Sequence, residues 1–299
     1  MSFLFTVAAK VPGRIACWAG LWLAISSSYC VAAPITVVDD ADRTVTLSGP
    51  AQRIVSLAPH VTEMLFSAGA GDRVVGVVSY SDFPPEATRL PLVGSYDRLD
   101  LERILSLKPD LIVGWRSGNP QPALEQLQQL SVPLYLSEPL NFDDIPRSLE
   151  RFGQLAGSQR QANTAAREYQ TQLDQLTERY RTQTRVSVFY QVWREPLMTF
   201  NGEHLFNDVL RLCGGHNPFS DLPRLASSIE LEAVLKADPQ VIVVGETNRQ
   251  WIEDWRRWPT LTAVKNDRLY ALNQDVLVRP TTRIIEGIRQ VCAVLQPQR

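Results

Sequence analysis

The stretch "LDLERILSLKPDLIVGW" spans residues 99–115, and "IELEAVLKADPQVIVVG" spans residues 229–245. Glu102 and Glu232 stand 130 positions apart (232 − 102), and so do Pro109 and Pro239 (239 − 109). Each copy sets Leu, Ile or Val at helical spacing, then a proline, then an apolar run rich in Val and Ile. That order reads as a helix, a stop and a buried strand. A unit repeated once at this distance predicts two lobes of like construction.

The flanking sequence extends both copies. In the first lobe "RIVSLAP" is a strand stopped by Pro59, "HVTEMLFSAGAG" a helix ended by glycines, and "RVVGVVSY" a further strand. "PALEQLQQLSV" and "PLYLSE" add another helix and strand after the repeat. The second lobe starts with the strand "RVSVFYQVW" and the helix "LFNDVLRLCGG", and after its copy closes with "TLTAVKNDRLYALN" and the helix "RIIEGIRQVCAVLQ". Continuous apolar strands alternating with helices predict mainly parallel sheets covered by helices. Between the lobes, "SQRQANTAAREYQTQLDQLTERYRTQ" contains neither Gly nor Pro and reads as one long helix that bridges them. The expected class is therefore α/β: two Rossmann-like lobes, 34–142 and 184–299, joined by a helical segment at 143–183, with a ligand cleft between the lobes.

Residues 1–33 are expected to be a secretory signal peptide. Lys10 and Arg14 precede the apolar run "IACWAGLWLAI", and "SSSYCVAAP" supplies small residues for cleavage. The run is short of the ~20 apolar residues of a spanning helix. Without the leader the formal charge is 28 − 32 = −4, which offers no attraction to nucleic acid or anionic lipid. Cys17 and Cys30 leave with it. Cys213 and Cys292 remain in an oxidising compartment, where a disulfide is their simplest use and two separate buried thiols the alternative.

Motifs for chemistry are missing from the sequence: there is no phosphate loop, no HExxH, no GxSxG and no GxGxxG after a strand. Three histidines, His60, His204 and His216, are too scattered for a metal site. His60 sits where a strand gives way to a helix, a common place for ligands, although a polar helix-start residue explains it as well. Aromatic residues at strand ends are more informative. Tyr80, Tyr96, Trp115 and Trp193 each end or follow an apolar strand, where clefts form in open α/β sheets, and together they suit a large planar or amphipathic ligand. "NQDVLVRPTTR" adds Asp275, Arg279 and Arg283 in what reads as a loop before the last helix, placed either to orient a ligand or simply in solvent. Folding accounts for the prolines and apolar positions of the repeat, but not for Glu102 and Glu232. These either complement the helix dipole or present one carboxylate per lobe to a two-fold partner.

The runs "RIVSLAPHVTEMLFSAGAGDRVVGVVSYSDFPPEA", "LDLERILSLKPDLIVGWRSGN", "LCGGHNPF" and "IELEAVLKADPQVIVV" resemble the family of periplasmic vitamin B12-binding proteins of bacterial importers. More loosely they resemble the helical-backbone binding proteins for siderophores, haem and metals. The resemblance covers residues from about 53 to 295. It implies two lobes joined by one rigid helix, a corrinoid between them, and delivery to an ABC permease dimer with its ATPase subunits. It makes Tyr80, Tyr96 and Trp115 ligand-facing aromatics, and Asp275, Val276, Leu277, Val278 and Arg279 a corrinoid-contacting loop. It also makes Glu102 and Glu232 permease-docking residues and pairs Cys213 with Cys292. Tyr96 stands where the family has Trp, Ala226 lies in a stretch lacking a family Trp, and Trp193 and Met198 replace phenylalanines.

The resulting expectation is a periplasmic substrate-binding protein for cobalamin or a related corrinoid, monomeric when free, with no enzymatic activity. It needs no resident cofactor or protein metal site, since cobalt arrives inside the ligand. The alternatives are haem or a ferric siderophore on the same fold, and an exported α/β enzyme.

Overall fold

The two copies of the repeat form the centres of two parallel four-stranded sheets. In the computed structural model, which describes residues 1–6, 8–9, 33–181 and 185–296, the first sheet contains β1 (Ile54–Ser56), β2 (Val74–Gly76), β3 (Leu111–Trp115) and β4 (Leu134–Ser137), in the order β2-β1-β3-β4. The second contains β5 (Val186–Gln191), β6 (Gly215–His216), β7 (Val241–Gly245) and β8 (Leu269–Leu272), in the order β6-β5-β7-β8. The topology is the same, and the repeated strand lies third in each. The chain divides into two units, Met1–Ala32 and Ala33–Arg299, and the second carries both sheets. Of the leader predicted over residues 1–33, residue 7 and residues 10–32 lie outside the described residues.

The repeat also distributes its side chains alike. Leu111 and Val113 face one buried cluster and Ile112 another; Val241 and Val243 face that same first cluster, and Ile242 a third. Period-two alternation with both faces covered is why these strands read as continuous apolar runs. The repeated helices, α2 (Leu101–Ser106) and α7 (Leu231–Ala237), each bury one central residue completely, Ile104 and Val234. They are shorter than the sequence suggests. The helices do not run to the prolines: the chain turns left-handed at Lys108 (φ 49°) and Asp238 (φ 43°), the residues before Pro109 and Pro239. A proline disfavours right-handed helix in the residue before it, so the stop acts one position early.

The connecting segment is two helices, α4 (Asp144–Ala156) and α5 (Gln159–Arg179), separated at Gly157, where φ is 68°. Only α5 is the predicted long helix. It buries Ala162, Ala166, Tyr169, Leu173 and Leu176 and packs on α1 (Pro59–Ser67) and α4 on one side and the last helix, α9 (Ile284–Leu295), on the other. A single apolar cluster runs from Ile54, Met64 and Phe152 through Tyr169 and Leu173 to Val188, Phe206 and Ile288. The two sheets thus share one core at their inner faces.

Cys213, just past α6 (Phe206–Leu212), is bonded to Cys292 in α9, and both are buried. The bond ties residues 79 positions apart. Replacing both cysteines by serine is expected to cost about 2–4 kcal/mol by releasing the unfolded chain. In thermal melts this appears as a Tm lower by about 5–15 °C, matched by the wild type under reducing conditions. An unchanged Tm would make the bond dispensable.

Candidate functional site

Parallel strands bring their C-terminal ends to one edge of a sheet, and the loops that follow carry the site. At the first sheet, β1 leads through Ala58 into α1, whose first turns carry His60 and Glu63; β3 ends at Trp115; and the loop after β2 carries Tyr80 and Asp82. At the second, β5 leads to Trp193, and a short helix, α8 (Gln274–Val278), lies after β8.

Trp115 is held on every side. Its backbone N–H donates to Asn119 Oδ1 (2.7 Å) and its indole Nε1 to Glu138 Oε1 (3.3 Å). A Cβ on Gly118 would lie 2.0 Å from the indole ring, so only glycine lets the ring lie over the chain there. Tyr96 lies at a ring-centroid distance of 5.9 Å from Trp115. The amide of Asn119, itself buried, donates to the carbonyls of Tyr96 (2.7 Å) and Leu57 (2.9 Å), so one side chain ties both aromatics to the sheet. Tyr80 is 71% exposed, with a left-handed backbone (φ 65°), an uncommon conformation for a bulky residue. The next residue, Ser81, is buried in a hydroxyl chain with Thr62 (3.1 Å) and Ser56 (2.8 Å), which holds the Tyr80 loop down.

On the second lobe Trp193 and Met198 face each other across a turn, with Met198 N–H donating to the Trp193 carbonyl (3.1 Å) and the Trp193 indole to the Glu195 carbonyl (3.1 Å). Trp193 is 56% exposed and sits edge-on to Trp251, centroids 6.3 Å apart. The turn is anchored through Gln191, whose Oε1 accepts from the Trp255 indole (2.8 Å).

The run Asp275–Arg279 departs from its predicted form. It is not a loop: four of its residues belong to α8, capped by Asn273 Oδ1 accepting from Asp275 N–H (3.0 Å). A helix places residues four apart on one face, so Asp275 and Arg279 meet in an ion pair (3.0 Å) while Val276 and Leu277 turn into the core, both fully buried. Their side chains are packing groups in the core, and Val278 is half-buried. A Cβ on Gly287 of α9 would meet the Val276 carbonyl oxygen at 2.2 Å, so that glycine allows α8 to lie against α9.

Arg279 and Arg283 do not point into solvent either. Glu63, with a side chain 1% exposed, accepts from Arg279 NH1 (2.8 Å) and from Arg283 Nε (2.9 Å) and NH2 (2.8 Å). Arg279 also donates to Asp82 Oδ1 (2.9 Å), and the Arg283 guanidinium stacks 3.9 Å above the Phe83 ring. Burial alone would lower the pKa of Arg279, but the hydrogen bonds to Asp82 and Glu63 and the nearby carboxylate charges outweigh it and raise it. Burial likewise raises the Asp275 carboxyl, against the pull of Arg279. This network joins α1 and the Tyr80 loop of one lobe to the segment after α8 of the other.

His60 is not a solvated helix start. It is buried, its ring edge-on to Trp115 with centroids 5.1 Å apart, and its Nε2 has no hydrogen-bond partner. Burial, helped by the positive Arg279, lowers its pKa to about 3, so the imidazole is neutral at physiological pH. Among the described residues no group of three or more His, Cys, Asp or Glu side chains is placed to hold a metal ion.

Glu102 and Glu232 begin α2 and α7, at the strand-end side of their sheets, and both are exposed. Neither caps its helix: Asp100 Oδ1 accepts from Arg103 N–H (2.9 Å) at α2, and α7 has no side-chain cap. Sequence reading missed Glu63, Asp82, Asn119 and Glu138. "HVTE" and "WRSGN" contain two of them, but in a single sequence they look like ordinary helix and turn residues.

This arrangement, two α/β lobes with strand-end aromatics and a charged network between them, defines a solute-binding protein, and the chain belongs to the periplasmic binding protein family, which it matches over residues 54–276. It is 38% identical over 248 residues, 83% of this chain and 90% of the relative, to the vitamin B12-binding protein of Vibrio cholerae serotype O1. The crystal structure of the Vibrio cholerae periplasmic vitamin B12 binding protein BtuF superposes with a TM-score of 0.79 at 38% identity, covering 82% of this chain and 97% of that one. The apo haem-binding protein RhuT of Roseiflexus sp. RS-1 shares the fold, with a TM-score of 0.74 at 24% identity over 82% of this chain and 98% of its own.

The buried His60 sets a pH response. Its folded pKa lies below the ordinary 6.5, so as pH falls below 6.5 the unfolded chain takes up a proton that the folded one refuses. Stability from this group is therefore present above pH 6.5 and lost on the way down to about 3. Urea midpoints are expected to fall between about pH 6.5 and 5, and to fall less in His60→Gln; equal slopes would refute the assignment.

Proposed function

We propose that this chain is a periplasmic binding protein that captures cobalamin or a related corrinoid between its lobes and hands it to an ABC importer. The observation that carries the reading is the set of anchored aromatic and thioether groups, exposed Tyr80 and Tyr96 with half-buried Trp115 from one lobe, and exposed Trp193 with half-buried Met198 from the other, together with the Asp275–Arg279 pair. Broad apolar rings suit the faces of a corrin, and the pair suits its peripheral amides. Similarity to vitamin B12-binding proteins over most of the chain supports the same ligand. The cobalt arrives within the ligand, and the reading assigns the chain capture and release without chemical turnover.

Isothermal titration tests it directly. Cyanocobalamin at micromolar concentration is expected to bind one to one and more tightly than haemin or ferric citrate. Trp115→Ala is expected to weaken binding about tenfold or more, as loss of a central aromatic anchor does. Tighter binding of haemin, or no binding of cyanocobalamin, would overturn the corrinoid reading.

We further propose that Glu102 and Glu232 meet the two halves of the permease dimer, which the ATPase subunits drive. Both are exposed, lie at matching positions of the repeat and serve no cap. An exposed ion pair is worth about 0–1 kcal/mol, so two of them act through register and bivalency. The double change Glu102→Ala, Glu232→Ala is expected to leave cyanocobalamin affinity intact and to lower uptake by vesicles carrying the cognate permease. Undiminished uptake would leave the glutamates without a docking role.

A further inference from the structure

Both arginines on the inter-lobe floor are already matched by carboxylates of this chain. Arg279 is engaged by Glu63, Asp82 and Asp275 at 2.8, 2.9 and 3.0 Å, and Arg283 by Glu63 through two nitrogens. Three carboxylates stand against two guanidinium groups, a formal charge of −1 (2 − 3). His60 beside them is uncharged at neutral pH. Arg194, next to Trp193, is paired with Asp254 at 2.9 Å. Arg116, next to Trp115, is exposed and gives NH1 to the Asp40 carbonyl, where solvent screens it. The Arg279 and Glu63 side chains are 13% and 1% exposed, and charges so placed are screened far less. The Asp82 and Asp275 side chains are 52% and 34% exposed, and their Oδ2 atoms take no part in these bonds, which leaves them as acceptors.

We infer that Glu63, Asp82 and Asp275 make this floor select uncharged, amide-bearing ligands and reject carboxylate-bearing ones. A carboxamide both donates and accepts, so it meets the free Asp oxygens with its N–H and Arg279 with its carbonyl. A carboxylate has no N–H to give and lies against two like charges, with no uncommitted buried arginine to compensate. Glu63 acts through Arg279 as a positioning residue, whereas Asp82 and Asp275 face the ligand. The inference rests on the corrinoid reading and adds what distinguishes one corrinoid, or one tetrapyrrole, from another.

The test compares cyanocobalamin with the monocarboxylic acids made from it by hydrolysing single peripheral amides, probes of one shape that differ by one charge. Wild type is expected to bind at least one of these acids about tenfold or more weakly than cyanocobalamin, the scale of one lost hydrogen bond to a charged group. Asp82→Asn, on the exposed side of the network, is expected to shrink that preference severalfold, as is Glu63→Gln, and both are expected to improve haemin binding. High salt is expected to shrink it less than either substitution. The inference is overturned if wild type binds every acid as tightly as cyanocobalamin, or if the preference survives unchanged in Asp82→Asn and in a folded Glu63→Gln. A wild type that binds none of these corrinoids overturns the underlying reading and this inference with it, an outcome distinct from equal binding.

Discussion

Glu63 is a carboxylate withdrawn from water with three hydrogen bonds from two arginines that lie 216 and 220 positions further along the chain. An isolated buried charge is too costly to keep, so the folded state exists only with Arg279 and Arg283 drawn up to it. That requirement fixes where α1 of the first lobe meets the segment after α8 of the second. Through Asp82 and Phe83 the same contact holds down the loop that displays Tyr80, and its Arg279 adds to the burial that keeps His60 uncharged beside Trp115.

Apolar packing acts beside this polar contact. Helix α5 is embedded between the two halves of one continuous cluster, touching α1 and α4 on one side and α9 on the other. Turning one lobe against the other would have to shear that packing and part the Glu63 network together. Both contacts therefore oppose such a turn.

Much of this was legible in the chain as text. The 130-residue spacing announced two like lobes, and the repeated strands do distribute their side chains over equivalent faces. Trp115 and Trp193 were findable because aromatic residues at the ends of buried strands fall on the edge where parallel sheets open. The supports of the site were not findable, for a definite reason. Asn119, Glu138 and Glu63 act by reaching groups in other elements, and nothing in "WRSGN" or "HVTE" distinguishes a side chain that crosses to another strand from one that enters solvent. Helical geometry also sorted Asp275–Arg279 in a way its sequence as a loop concealed, sending Val276 and Leu277 inward and pairing the charged ends.

The sequence by itself determined the alternation of strand and helix, the duplication, the helix stops ahead of Pro109 and Pro239 and the supply of aromatics, because each depends on residues adjacent or a few positions apart. Tertiary structure alone decided which charges are spent on one another. Three carboxylates and two arginines scattered from position 63 to 283 become one floor only when the lobes close on the shared core, since Coulomb and hydrogen-bond energies depend on distance in space and carry no mark in the order of residues.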